Sequence, residues 1–143
     1  MWKLILILTI VFSIDNLYAQ NSELNYTVYT NIFNKKNGNN YLSDSTGAKL
    51  ICMILPMSYE QALKGMSHES NKDIVLLDSG ELQKTKRRIR YKIGELKEDK
   101  TDLIIEVYLI EYENGNSVML TGNYERKYKS IIRDAIEISA RSF

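Results

Sequence analysis

Hydrophobic and polar positions along the chain follow two periods that separate strands from helices. From Thr85 to Ile93 they alternate strictly, with Thr85, Arg87, Ile89, Tyr91 and Ile93 on one side and Lys86, Arg88, Arg90 and Lys92 on the other. A period of two is that of a strand with one buried and one solvated face. Leu103–Tyr112 and Ser117–Glu125 continue as strands, the second setting Val118, Leu120 and Tyr124 against Met119, Thr121 and Asn123. Asn114-Gly115 between them suits a hairpin, because both residues tolerate positive φ. With a turn at 98–102, the three strands form an antiparallel meander. From Tyr128 to Phe143 the period changes to three and four: Tyr128, Ile131, Ile132, Ala135, Ile138 and Phe143 mark the apolar side of a C-terminal helix.

Upstream, apolar runs punctuated by turn residues predict further strands. Tyr26–Phe33 is rich in β-formers, and Asn34–Asn40 reads as a loop. Ser43–Gly47 is a second turn. Ala48–Leu55 does not alternate, which predicts a strand covered on both faces and ended by Pro56. Ser58-Tyr59-Glu60-Gln61 has the form of a capping box opening a short helix over residues 59–66. After a polar loop at 67–72, a strand over 73–78 closes at the turn Ser79-Gly80.

The N-terminus has a different design. Met1-Trp2-Lys3 is a positive start, Leu4–Ile14 is apolar apart from Thr9 and Ser13, and Asp15–Ala19 is a polar-to-small exit. This is the layout of a cleavable secretory signal over residues 1–19, leaving a single domain from Gln20 to Phe143. The apolar run is about 11 residues, against the ~20 that span a bilayer, so no stable membrane span is expected after cleavage. Gln20 in place of Cys gives no indication of a lipid anchor. The chain is thus expected to be periplasmic or secreted.

Composition then narrows the chemistry. Nineteen basic against 18 acidic residues leave a formal charge of +1, unlike the strongly basic surface on which general nucleic-acid binding depends. One Cys forbids an intrachain disulfide and a Cys-based zinc cluster. Cys52, within an apolar strand, reads as a small buried hydrophobe. One His, His68 in a polar loop, lacks the partners that metal hydrolysis or a Ser-His-Asp triad requires. Ser58, Ser79 and Ser142 lack a Gly-x-Ser-x-Gly setting, and no pair among the acids stands out for glycoside hydrolysis. Asn25-Tyr26-Thr27 matches a glycosylation sequon, incidental if the export signal is bacterial. No cofactor site is read from the sequence.

From Gly47 onward the order of pieces resembles the PsbP-like superfamily, which includes bacterial periplasmic relatives. The resemblance is carried by Leu50–Leu55 closed by Pro56, the short helix Ser58–Met66, the strand and glycine turn Ile74–Gly80, the meander, and the helix ending Ile136-Glu137-Ile138-Ser139-Ala140-Arg141-Ser142-Phe143. Where many relatives carry a small-residue turn before the meander, this chain has Lys84-Thr85-Lys86-Arg87-Arg88. The resemblance implies an α/β/α sandwich around an antiparallel sheet, and adaptor or accessory roles more often than catalysis. It carries no catalytic residue across.

Two surface features remain as candidate binding residues. Lys86, Arg88, Arg90 and Lys92 place four cations ~6–7 Å apart on one strand face, able to grip an anionic ligand or envelope polymer; acids on neighbouring strands, such as Glu106, Glu111 or Glu125, are the alternative partners. Ten Tyr, nine of them after residue 20, suit half-buried sheet positions; Tyr108 and Tyr112 are expected to share an exposed face. The fold class expected is α+β, an antiparallel meander flanked by helices. The function expected is that of an exported accessory protein binding an envelope protein partner, with an anionic-ligand binder and a small envelope hydrolase as the alternatives.

Overall fold

A computed structural model describes residues 23–68, 72–97 and 102–143. The expected signal segment, the middle of the loop after the first helix and most of the turn at 98–102 lie outside the described residues. Seven strands, β1 (Lys35–Asn37), β2 (Asn40–Leu42), β3 (Lys49–Leu55), β4 (Ile74–Glu81), β5 (Ile89–Leu96), β6 (Leu103–Glu111) and β7 (Ser117–Glu125), form one sheet in the order β1-β2-β3-β7-β6-β5-β4, with every pairing antiparallel. Among the described residues two α-helices, α1 (Tyr59–His68) and α2 (Lys129–Arg141), complete an α+β architecture.

The meander forms because alternation fixes the register. Cys52, Leu120, Tyr108 and Tyr91 stand in one cross-strand row, and Leu50, Gly122, Glu106 and Ile93 in the next. These rows face α2, whose Ile132, Ala135, Ile136, Ser139 and Ala140 are buried against them. Gly122 makes the contact close: a Cβ there would fall on Ile136 Cδ1 and 3.1 Å from its Cγ1. The opposite face carries Leu109, which packs beneath Tyr59, Ala62, Leu63 and Met66 of α1. Helices therefore lie on both sides of the sheet.

Local signals held where the backbone requirement is short-range. Gln61 N–H donates to Ser58 Oγ at 3.3 Å and Ser58 N–H donates to Gln61 Oε1 at 3.2 Å, the reciprocal capping box that starts α1. Asn114 and Gly115 adopt φ of 56° and 72°, reversing the chain between β6 and β7.

Six expectations are corrected. Residues 26–33 form no strand. Phe33 is buried and Tyr26, Val28 and Ile32 pack against the core, Tyr26 stacking on Phe143 at 4.9 Å, while Thr27 N–H, and Leu24 N–H just before the segment, donate to the side chains of Ser142 and Asn39. Aromatic content here serves packing and not a ladder. The loop at 34–40 is a small hairpin, β1–β2, turned at Gly38. Ser79-Gly80 is no turn: β4 runs through it, and a Cβ on Gly80 would lie 3.2 Å from the Tyr91 hydroxyl. Residues 85–88 precede the strand, which begins at Ile89. On α2 the inward stripe is rotated from the expected one, with Ile136 inward and Ile131 and Ile138 exposed. β3 is buried on the Leu50–Cys52 face and only partly on the other.

Candidate binding surfaces

The four expected cations do not form one row. Lys86 and Arg88 lie in the irregular approach to β5, and Arg90 and Lys92 lie within it. Arg88 is engaged on three sides: its Nε donates to Glu111 Oε2 at 3.0 Å, its Nη1 donates to Glu60 Oε1 at 2.6 Å, and its guanidinium lies 4.6 Å from the Tyr59 ring centroid. Hydrogen bonding from Arg88 holds the Glu111 carboxyl below the usual carboxylate range. Lys92 Nζ donates to the Met66 carbonyl in the last turn of α1, where a cation complements the helix dipole. Arg88 and Lys92 thus tie the two ends of α1 to β5. Lys86 and Arg90 form no ion pair among the described residues. Of the expected acidic partners only Glu111 meets the cations; Glu125 pairs with Lys127.

A groove of about 350 Å³ opens beside this region, lined by Glu81–Ile89 and Glu111. Lys84 (φ 59°) and Lys86 are its uncommitted cations. Arg87, also on its wall, donates to the Phe143 carbonyl and pairs with Glu113, with Tyr112 beneath it at 5.0 Å.

Tyr108 and Tyr112 both pack on the α2-side core, but they differ in exposure. Tyr112 follows β6 and is partly exposed. Tyr108 is 1% exposed beneath α2, which corrects its expected surface position. Its hydroxyl donates to Glu106 Oε2 at 2.8 Å, and the Tyr124 hydroxyl donates to Glu106 Oε1. Glu106 itself has no exposed area. Burial raises its carboxyl above the usual range, opposed by the hydrogen bonds from Tyr124 and Tyr108. The alternation of β6 places Ile104, Glu106, Tyr108 and Ile110 on one face, so the sequence held this signal: a carboxylate in an otherwise apolar stripe. Asp78, in register with Ile93, accepts from Arg133 at 2.9 Å and anchors α2 beside the trio.

The α1 side of the sheet is the more open one. Ile51, Met53, Ile105, Val107 and Met119 point this way, remain partly exposed and belong to neither core cluster. At the sheet edge, β4 exposes Val75, Leu76 and Leu77. An apolar area of this kind on a folded domain marks a contact surface. Among the described residues no three His, Cys, Asp or Glu side chains are placed to hold a metal ion, and no helix is long and apolar enough to cross a membrane.

The fold has a counterpart among solved structures. It is similar to the crystal structure of LpqN, involved in cell envelope biogenesis of Mycobacterium tuberculosis. The TM-score is 0.52 at 6% identity, over 68% of this chain and 62% of that one, so the chain matches less than two thirds of the LpqN structure. The likeness is one of fold. No protein-family model matches the sequence, and no curated protein matches it.

Proposed function

We propose that this protein is an exported, non-catalytic accessory protein of the cell envelope that works by docking a protein partner. The observation carrying the reading is the partly open apolar sheet face around Met53, Val107 and Met119, held rigid by a complete core on the other side. Three lines support the setting. The first nineteen residues have the layout of an export signal. The fold is similar to that of a protein involved in mycobacterial envelope biogenesis. The helix–sheet–helix layering agrees with what a PsbP-like adaptor would show, and membership of that superfamily is part of the proposal.

A second reading, binding of an anionic ligand at the basic end of β5, is favoured by one observation: Lys84, Lys86 and Arg90 have no carboxylate partner among the described residues. Affinity capture from envelope extract separates the two. Wild type is compared with Val107→Glu and with a Lys86→Gln/Arg90→Gln double variant. The docking reading expects a discrete partner to be lost with Val107→Glu and kept by the double variant. The reverse pattern replaces it with the anionic reading.

A further inference from the structure

We propose that the strip of sheet formed by β3, β7 and β6 beside α1 takes an acidic amphipathic helix of the partner. This rests on the docking reading above and names the chemistry of what docks.

Layer geometry gives the first argument. On the α2 side, a thirteen-residue helix and the segment 24–33 close the sheet. On the other side the ten-residue α1 is tied at Arg88 and Lys92 along β5 and buries only Leu109 of the sheet centre, with Leu55 packed beside it. The adjacent strip, Ile51, Met53, Met119, Thr121 and Val107, has the apolar surface on which a second helix packs. A sheet face buries its side chains against a helix or another sheet, and the neighbour already present here is a helix.

Side-chain chemistry gives the second. Met53 and Met119 are directly opposed across β3 and β7. Methionine is unbranched and polarizable, and surfaces built from it adapt to the apolar side of a partner helix.

Charge gives the third, and it selects the sign. The three central cross-strand rows on this face are Lys49–Asn123–Ile105–Gly94–Leu76, Ile51–Thr121–Val107–Lys92–Ser79 and Met53–Met119–Leu109–Arg90–Glu81. They hold three cations against one acid, Glu81, which stands in register with Arg90. The flanking rows Leu103–Glu125 and Leu55–Ser117–Glu111 add two acids, each already paired with a cation: Glu125 with Lys127 and Glu111 with Arg88. Glu106, the acid in the middle of β6, points to the opposite face. A helix whose polar flanks carry Asp and Glu meets the exposed Lys49 and the positive charge that Lys92 keeps while donating to the Met66 carbonyl; a basic one meets repulsion.

The test uses the full chain carrying ¹³C-methyl methionine and two synthetic helix-forming peptides with the same leucine face, one flanked by Glu and one by Lys. The Glu peptide is expected to bind, to shift the methyl signals of Met53 and Met119, to weaken with salt, and to bind about tenfold more tightly than the Lys peptide. Val107→Glu, verified as folded by circular dichroism, is expected to weaken it by at least the same factor. Equal affinity for both peptides, binding of neither, or shifts confined to the β4 backbone, the signature of an added strand, would overturn the inference. Partner capture that is lost with Val107→Glu while the Glu peptide fails to bind overturns the helix and leaves the docking reading intact. Capture indifferent to Val107→Glu removes the reading beneath both.

Discussion

Replacing Glu106 with Leu is expected to destabilise the protein by stranding two hydroxyls. Tyr108 and Tyr124 are each 1% exposed, and the Glu106 carboxylate accepts from both. A buried donor left without a partner costs about 1–3 kcal/mol, so the two together cost about 2–6 kcal/mol. Leucine relieves the buried charge and adds apolar contact, which offsets part of this and leaves a net loss of about 1–4 kcal/mol. Adding Tyr108→Phe and Tyr124→Phe to Glu106→Leu removes the stranded groups and is expected to restore most of the loss, because apolar replacement of all partners is close to neutral. Glu106→Gln keeps an acceptor and a donor in place, and its effect is expected to depend on pH. The folded carboxyl titrates above its ordinary 4.5 because it is buried. As pH rises past the unfolded value, the unfolded chain releases this proton while the folded one retains it. Stability from this group is therefore full below the unfolded value and lost as pH rises through the folded one. Urea unfolding followed by circular dichroism from pH 4 to 8 measures it. The stability of Glu106→Gln minus that of wild type should grow with pH and then level off; the subtraction cancels other carboxylates. A flat difference, or a triple variant no more stable than Glu106→Leu alone, would refute the reasoning.

Other expectations follow from single contacts. Gly122→Ala drives a Cβ into Ile136 and should cost about 1–3 kcal/mol by overpacking. Combined with Ile136→Val it should cost less than the sum, as read by a double-mutant cycle; strict additivity would show that α2 does not rest on this glycine. The Tyr59 hydroxyl is buried without a hydrogen-bond partner, so Tyr59→Phe should leave stability unchanged or raise it by up to about 1 kcal/mol. A loss greater than that in denaturant titration would mean that the hydroxyl is satisfied in solution. Cys52 is 5% exposed and burial pushes its thiol up, so Ellman's reagent should react with it only in denaturant.

What the sequence disclosed divides by physical range. Period-two alternation in β5–β7 survived folding because a slip of one residue would turn Leu120 and Tyr108 to the opposite face. The capping box at Ser58 and the turn at Asn114-Gly115 depend only on neighbours. Residues 26–33 misled because Tyr, Val and Ile pack equally well from an irregular segment, whose Thr27 N–H donates to the distant Ser142 hydroxyl and whose Ile32 and Phe33 N–H groups donate to the Tyr29 carbonyl. Gly80 misled because its role is set by Tyr91 across the sheet and not by a turn. The basic residues around β5 were legible as a cluster, and Glu111 as one of their partners, but the second partner of Arg88 was not: Glu60 reaches it from a helix 28 positions away. Tyr108 looked like surface because two tyrosines near a strand end suggest one face; its partner Glu106, counted as a surface acid, is buried with it. The open strip beside α1 is a property of the third dimension. It is visible only once α1 is seen to cover Leu109 and to leave Met53 and Met119 uncovered.

The central claim is that the α1 side of the sheet meets a partner protein while the α2 side does not. Photo-crosslinking in cells tests it most directly, with a photoreactive residue placed singly at Val107, at Met119, and at Asp134 on the exposed side of α2. The account predicts the same discrete crosslinked partner from Val107 and Met119 and none from Asp134. Equal crosslinking from all three positions, or a partner captured from Asp134 alone, would contradict it.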